Sequence, residues 1–340
     1  MIDKRNLFLV IIFLTLISTW YIYSNVIYPN VNRRITFAES ILSGDVEPPY
    51  QYRILKPILA KGIEFAISPI FLSDRKQHVV SHTTIALVCF LFMYSLFYAY
   101  LRKFFSQKTS LIGIMLLQIV VPLSVTGYFM IGDFLNVLFY IIGLNLIVYQ
   151  KDKYLPTLMA IATANRVQII FLIVFYIAYL ISQRRLRRGI PIILFSSVAF
   201  LIVFLGTRLY FGFKPNSYTI ASHIIMNTDS RRLLDILALW TAELGVLSLC
   251  SIIGYRRSDI FFKLSLLSLL LYTTLFFLKG SITELAKFLP AFLVLIPMSL
   301  QVITGEIAVV RYHASNNAHS FATLFFWRMR AWLGFNTRPR

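Results

Sequence analysis

The sequence predicts an all-α integral membrane protein, a polytopic helical bundle of about ten membrane segments. Of its 340 residues, 58% are hydrophobic and only 14% are charged, whereas soluble domains carry about 25% charged residues. Apolar stretches of the roughly 20 residues that a helix needs to cross a bilayer recur along the chain, with short polar loops between them. The composition therefore excludes a soluble globular protein.

Eight stretches have the length and apolarity of a single membrane span. The first follows Lys4-Arg5 in the manner of a signal peptide, but no small-residue cleavage site comes after it, so we predict an uncleaved span. The predicted spans are 7–28, 79–101, 110–130, 133–150, 190–211, 232–254, 260–279 and 286–304.

The stretch 155–183 is predicted to form a bent pair of short helices with Arg166 at its apex. One straight span would put the basic loops on either side of it, 151–153 and 184–188, on opposite sides of the membrane. Because short cytoplasmic loops are enriched in Lys and Arg, the bent pair is favoured. It places every short basic loop and both termini on the cytoplasmic side of the cell (inner or plasma) membrane.

The net charge of +19 is typical of cytoplasmic loops that contact anionic membrane lipids, and we predict no nucleic-acid partner. The two cysteines lie in apolar runs, so they provide no disulfide framework, and no Cys/His spacing resembles a zinc site. These features leave membrane lipids as the partner that composition alone implies.

Two regions follow from this topology. Residues 1–305 form a single transmembrane domain, in which the outer loop 29–78 contains an interfacial helix over 54–71. Residues 306–340 form a basic cytoplasmic tail with a second interfacial helix over 321–335.

The first outer loop carries two carboxylates, Asp45 and Glu47, just before two prolines. Either could accept the proton of an acceptor hydroxyl or help to hold a divalent cation. The alternative is a solvated loop in which they pair with Arg53. A divalent cation is the one cofactor that this loop suggests, and its ligands stay open.

Four further charges interrupt apolar segments on the same predicted side. Asp133 either caps the helix that follows or belongs to a site. Arg166 needs an anionic partner, which is either a lipid-linked phosphate or one of the nearby carboxylates, Asp133 or Glu284. Lys287 either pairs with Glu284 or contacts a phosphate. Charges at this depth in a membrane indicate a functional site at one face.

Three other polar residues are interpreted as structural. Glu243 lies in the middle of a span without an aligned series of proton carriers, so we expect a paired group. His82 and His223 have no second ligand at metal spacing and are expected to be ordinary histidines.

These segments resemble those of a large set of bacterial multi-spanning proteins that are similar to the GT-C class of glycosyltransferases. The matching segments are Tyr-Arg-x-Leu-x-Pro at 52–57, Asp-Phe at 133–134, Asn-Arg at 165–166 and Glu-Leu-x-x-Phe-x-Pro at 284–290. The resemblance implies a GT-C-like bundle with its site on the outer (periplasmic or extracellular) face. It also implies sugar transfer from a polyprenyl-phosphate donor to a glycan, lipid or protein acceptor.

On the implied mechanism the general base is Asp45 or Glu47, with Asp133 as the next candidate. Cations at the site stabilise the phosphate of the leaving group. The implied substrate-binding residues are Arg53, Arg166, Lys287, Glu284 and Tyr52.

Three other functions fit part of the pattern: a surface-polysaccharide polymerase, a transporter or flippase of a lipid-linked or anionic solute, and a membrane scaffold. A broken helix pair with a charged apex also suits transport. However, no inverted repeat is found and the charges gather at one face, which favours chemistry at the surface.

Overall fold

The computed structural model describes residues 3–71, 73–130, 132–215 and 219–307, and all regular structure within them is helical. The tail helix predicted over 321–335 lies outside the described residues. In chain order the helices are α1 (Lys4–Ile22), α2 (Val31–Ser43), α3 (Leu55–Ile67), α4 (Asp74–Leu101), α5 (Gln107–Ser124), α6 (Asp133–Val148), α7 (Leu155–Thr163), α8 (Phe171–Ser182), α9 (Leu186–Phe211), α10 (Ile220–Thr228), α11 (Ser230–Trp240), α12 (Val246–Gly254), α13 (Ile260–Lys279) and α14 (Leu289–Thr304).

Seven helical segments of the described chain are long and apolar enough to cross a membrane, which confirms an all-helical, multi-spanning bundle. Large apolar side chains are exposed along α9, as expected for a helix in contact with lipid tails, whereas α14 is buried along nearly its whole length. The seven segments are Arg5–Ile27, Asp74–Leu101, Gln107–Ser124, Leu186–Phe211, Leu233–Arg257, Ile260–Lys279 and Leu285–Thr304.

The helix break predicted at Asn165-Arg166 is present. Helix α7 ends at Thr163, Arg166 has an extended backbone, and α8 starts after a short 3₁₀ turn over Val167–Ile170. Midway along α8, the Tyr176 hydroxyl donates to Oδ2 of Asp152, which lies just before the start of α7, at 2.5 Å. Because α8 returns to the level at which α7 began, the two helices form a hairpin.

The loops that carry the basic clusters meet at the end of the bundle where this hairpin opens. Lys103 Nζ lies 4.3 Å from the ring centroid of Tyr149, which connects the loops after α4 and α6. The ring of Phe261 packs against both Tyr179 and Phe104, which joins the start of α13 to α8 and to the loop after α4. We call this the basic end.

The opposite end is held together by hydrogen bonds between polar loops. The Leu55 amide donates to the Ala164 carbonyl at 3.0 Å, and the Asn165 side chain donates to the Gly132 carbonyl at 3.1 Å. A Cβ atom at Gly132 would lie 2.8 Å from Asn165 Oδ1, so a larger residue there would force the Asn165 side chain to shift. These contacts bring the first loop, the start of α6 and the apex of the hairpin together, and we call this the polar end.

The segment 29–78 contains a helix that we did not predict. Helix α2 ends at Gly44, whose positive φ of 79° allows the amides of Gly44 and Asp45 to bond back to the carbonyls of Ile41 and Ser40. The interfacial helix predicted over 54–71 corresponds to α3. The predicted loop 212–231 likewise contains a helix, α10.

Candidate functional site

A narrow cavity of about 20 Å³, enough for about one water molecule, lies at the polar end. Helix α2 provides one apolar wall through Phe37, Ala38 and Ile41. The first loop, α3, α4 and the hairpin apex supply the polar lining, which consists of Tyr50, Arg53, Lys56, His82 and Asn165.

Arg166 and Asp133 form a buried ion pair beside this pocket. Arg166 Nη2 lies 2.5 Å from Asp133 Oδ1, and both side chains are at most 3% exposed. Of the partners that the sequence left open for Arg166, the structure therefore contains a carboxylate. The contact lacks hydrogen-bond alignment, since Nε and Nη1 of Arg166 and both oxygens of Asp133 have no hydrogen-bond partner among the described residues.

One alternative from the sequence was that Asp133 caps the helix that follows. Its side chain makes no capping hydrogen bond. It is the first residue of α6, and Gly132 occupies the capping position. The carboxylate still lies in the first turn, where the helix dipole favours negative charge. Its ion pair with Arg166 makes it part of the charged cluster.

Tyr50 and Arg53 bring the first loop into this cluster. The Arg53 guanidinium lies 4.5 Å from the centroid of the Tyr50 ring. Arg53 is within electrostatic range of Arg166, Asp133 and Glu284. Burial, reinforced by repulsion from Arg166, lowers the pKa of Arg53 to about 10.

Lys287 and Glu284 form the pair expected from their spacing, with Nζ and Oε2 3.0 Å apart. They belong to the same cluster, because Lys287 lies within electrostatic range of both Arg53 and Arg166. The three cations Arg53, Arg166 and Lys287 outnumber the two carboxylates Asp133 and Glu284 by one. The cluster therefore attracts an anion.

Asp45 and Glu47 are exposed, on the first loop just after α2. The described residues contain no ion pair between either of them and Arg53, and the charged neighbours of Arg53 lie elsewhere. It stays a prediction that one of them is the general base. In that case the base comes from the exposed loop and not from the buried cluster.

Tyr52 does not line the pocket. Its hydroxyl donates to the Gly212 carbonyl at 2.9 Å, and the Arg208 guanidinium lies over its ring, so it ties the first loop to the end of α9. The pocket contains Tyr50 in its place. Lys56 and Asn165 also line the pocket, and neither was predicted as a site residue although both lie inside the segments that carry the resemblance.

The interpretation of His82 as an isolated histidine is wrong. His78 and His82 are one turn apart on α4, and their ring nitrogens cluster with a carboxylate oxygen of Glu64 on α3, all within 4.8 Å of one another. His78 Nδ1 lies 3.2 Å from Glu64 Oε1. The i,i+4 spacing could have been read from the sequence, but the contact with α3 could not.

Glu243 is a bonded group within the bundle, in line with its structural interpretation. It lies in a π-helical turn over Thr241–Gly245 and accepts a 2.7 Å hydrogen bond from the Ser124 hydroxyl on α5. It is therefore engaged away from the charged cluster at the polar end.

Fold and site together define a multi-spanning helical membrane protein with a cationic pocket at one end of the bundle. Compared with known proteins, the chain matches no family model, no curated protein and no solved structure.

Proposed function

We propose that this protein is a GT-C-like membrane glycosyltransferase of about ten membrane segments, which uses sugar donors linked through phosphate to a polyprenyl carrier. The polar end faces the outer side of the membrane and the basic end faces the cytoplasm. The observation that supports this most strongly is the excess of cations around one pocket, where Nε and Nη1 of the buried Arg166 have no hydrogen-bond partner among the described residues.

A lipid-linked phosphate fits this environment. Guanidinium N–H groups form charge-assisted hydrogen bonds with phosphate oxygens, and a lysine adds a point charge. The free Nε and Nη1 of Arg166 are on the same guanidinium that already holds Asp133. Phosphate binding can therefore occur without breaking the ion pair, and Arg53 and Lys287 add charge from two other elements.

The reaction is a displacement at the anomeric carbon of the sugar. The acceptor hydroxyl oxygen forms a bond to this carbon while the bond from the carbon to the phosphate oxygen breaks. The hydroxyl proton passes to a carboxylate, and the bonding electron pair leaves with the carrier phosphate. The extra negative charge on that phosphate is stabilised by Arg166, Arg53 and Lys287 in a site with little water.

The carboxylate that removes the proton comes from the first loop. Asp45 and Glu47 are exposed and can reach an acceptor that arrives from outside the membrane. Asp133 is engaged with Arg166 and is only 1% exposed, so its main role is to hold that guanidinium in place. Glu284 keeps the amine of Lys287 in the cluster.

Donor turnover in membrane vesicles tests this proposal. Vesicles containing the protein are supplied with a polyprenyl-phosphate donor that carries a labelled sugar, together with a crude envelope fraction as acceptor. We expect label in a glycan product and free carrier phosphate, both lost on Arg166→Lys. Binding of the donor without cleavage of the sugar–phosphate bond would contradict transfer.

The broken helix pair favours a second candidate, a transporter or flippase of a lipid-linked solute. Helix α7 ends just before a charged apex and α8 begins just after it, an arrangement that transporter helices often have around a substrate. The same vesicles distinguish the two functions, since transport moves label across the membrane with its phosphate bond intact.

A further inference from the structure

Arg34 is the most deeply buried cation without a carboxylate partner in the described chain. It is 1% exposed on α2, and its Nη2 contacts His82 Nδ1 at 2.9 Å while Nε has no hydrogen-bond partner among the described residues. Burial lowers its pKa to about 9. A buried charge that lacks an opposite charge is costly, so this arrangement requires a reason.

The contact with Arg34 determines which nitrogen of His82 carries the proton. A guanidinium only donates hydrogen bonds, so Nδ1 of His82 must accept, and the neutral ring then carries its proton on Nε2. His82 Nε2 is buried and has no partner among the described residues. Two adjacent side chains, Arg34 and His82, therefore each keep a buried donor in need of an acceptor.

These donors lie beside the pocket at the polar end. His82 lines the pocket directly, and Arg34 lies one turn before Ala38, which forms part of its apolar wall. Lys56 also lines the pocket and is within electrostatic range of Arg34, His82 and Asp133. Lys56 thus connects this group of cations with the cluster around Arg166.

We propose that Arg34 and His82, with Lys56, form a second oxyanion site, which binds a further phosphate group of the lipid carrier. One phosphate group then binds near Arg166 and Arg53 and one near Arg34, and the cavity of about 20 Å³ between them must widen to admit both. The preferred carrier is a polyprenyl diphosphate. The choice of a lipid carrier rests on the proposed function, whereas the oxyanion site rests on the two buried donors.

A metal centre is the competing explanation, because Glu64, His78 and His82 are close enough to share an ion. Three contacts oppose it. The Arg34 contact leaves the His82 Nε2 protonated, Glu64 Oε2 is held by Lys61 at 3.0 Å, and Glu64 Oε1 is engaged by His78 and Ser81. Arg34 and Lys56 further disfavour a divalent cation by repulsion.

Binding to the purified, detergent-solubilised full chain tests the second site. The probes are a polyprenyl diphosphate, a polyprenyl monophosphate of equal chain length, and inorganic phosphate. The variant Arg34→Met keeps the apolar stem of the side chain and removes its charge. The matched control is Arg33→Met, which removes the same charge from the preceding residue, an exposed arginine.

We expect the wild type and Arg33→Met to bind the diphosphate at least tenfold more tightly than the monophosphate. Arg34→Met should bind the two carriers equally, with its monophosphate affinity unchanged. Without ligand, Arg34→Met should melt no lower than Arg33→Met, because it removes a buried charge that lacks an opposite charge. If Arg34→Met does not fold, His82→Phe, which lacks the Nε2 donor, should show the same loss of preference.

Two results would overturn the second site. One is a wild type that binds both carriers with equal affinity and does not bind inorganic phosphate. The other is an Arg34→Met variant that loses the same affinity for both carriers. Inorganic phosphate that binds in an Arg34-dependent manner, without preference between carriers, would assign the site to free phosphate. A stoichiometric divalent metal that His78→Ala removes would show a metal centre instead. The binding experiment does not depend on sugar transfer. A diphosphate preference in a protein that shows no turnover in the vesicle assay would therefore contradict the proposed function and leave the second site intact.

Discussion

Arg166 forms a buried ion pair with Asp133, with Nη2 2.5 Å from Oδ1, while its Nε and Nη1 have no hydrogen-bond partner among the described residues. The two residues come from different elements, the apex of the α7–α8 hairpin and the first turn of α6. Arg166 thereby has two roles. It neutralises a buried carboxylate, and it offers two further hydrogen-bond donors to a ligand.

The double role of Arg166 predicts different outcomes for two substitutions. Arg166→Ala leaves Asp133 buried without a counter-charge and should lower the free energy of unfolding by about 3–5 kcal/mol. Arg166→Lys keeps a positive charge near Asp133 but loses the planar fork of donors. It should stay folded and lose phosphate binding at least tenfold, as checked by thermal unfolding and by carrier binding.

The matched control is Arg208→Lys, which changes an arginine that packs on Tyr52 away from the pocket. It should leave carrier affinity as in the wild type. An Arg166→Lys variant that is folded and binds carrier normally would show that the ion pair with Asp133 is the whole role of this arginine.

The hairpin predicts the labelling pattern of the loops on either side of it. In a background of Cys89→Ala and Cys250→Ala, cysteines are introduced at Lys153, at Leu186 and at Asp45, all of which are exposed. A membrane-impermeant reagent should label positions 153 and 186 from the same side and position 45 from the other. Labelling of 153 and 186 from opposite sides of the membrane would overturn the hairpin topology.

The loop carboxylates predict unequal effects on turnover. If the general base is one of Asp45 and Glu47, its replacement in Asp45→Asn or Glu47→Gln should lower turnover by about 10²–10⁴ while donor binding is kept. The other replacement should have a much smaller effect. Full activity of both variants would move the base into the buried cluster, where Asp133→Asn is the next variant to measure.

Close packing at the polar end makes Gly132 sensitive to substitution. In Gly132→Ala the new Cβ would lie 2.8 Å from Asn165 Oδ1, so the contact between the first turn of α6 and the hairpin apex must shift. We expect a loss of about 1–3 kcal/mol in the free energy of unfolding. Gly206→Ala in α9, where nothing lies within 4 Å of the added atom, should be neutral or slightly stabilising. Equal melting temperatures for the two variants would contradict this packing.

The hairpin could be predicted from the sequence because its signal is simple and long-range. Positions 151–153 and 184–188 are basic, and they can share a side of the membrane only if the chain turns at Arg166. The positions of Asp133, Glu284 and Lys287 at segment ends likewise predicted one polar end. Their convergence follows from topology and needs no detailed packing information.

Helix α2 and the Arg34 site could not be predicted in the same way. The buried face of α2 consists of Val31, Arg34, Ala38 and Ile41, so a charge interrupts the apolar stripe that marks an amphipathic helix. Glu64 and His78 meet only because α3 packs on α4. Such clusters depend on tertiary contacts between helices, which hydrophobic periodicity does not report.

The most direct test of the central claim compares two lipids that differ only in their head group. The affinities of a polyprenyl phosphate and of the corresponding polyprenol are measured for the purified wild type and for Arg166→Lys. The account predicts that the wild type prefers the phosphate at least tenfold and that Arg166→Lys loses this preference while its polyprenol affinity is unchanged. Equal affinity of the wild type for the two lipids, or a preference that survives in Arg166→Lys, would contradict a phosphate site at Arg166.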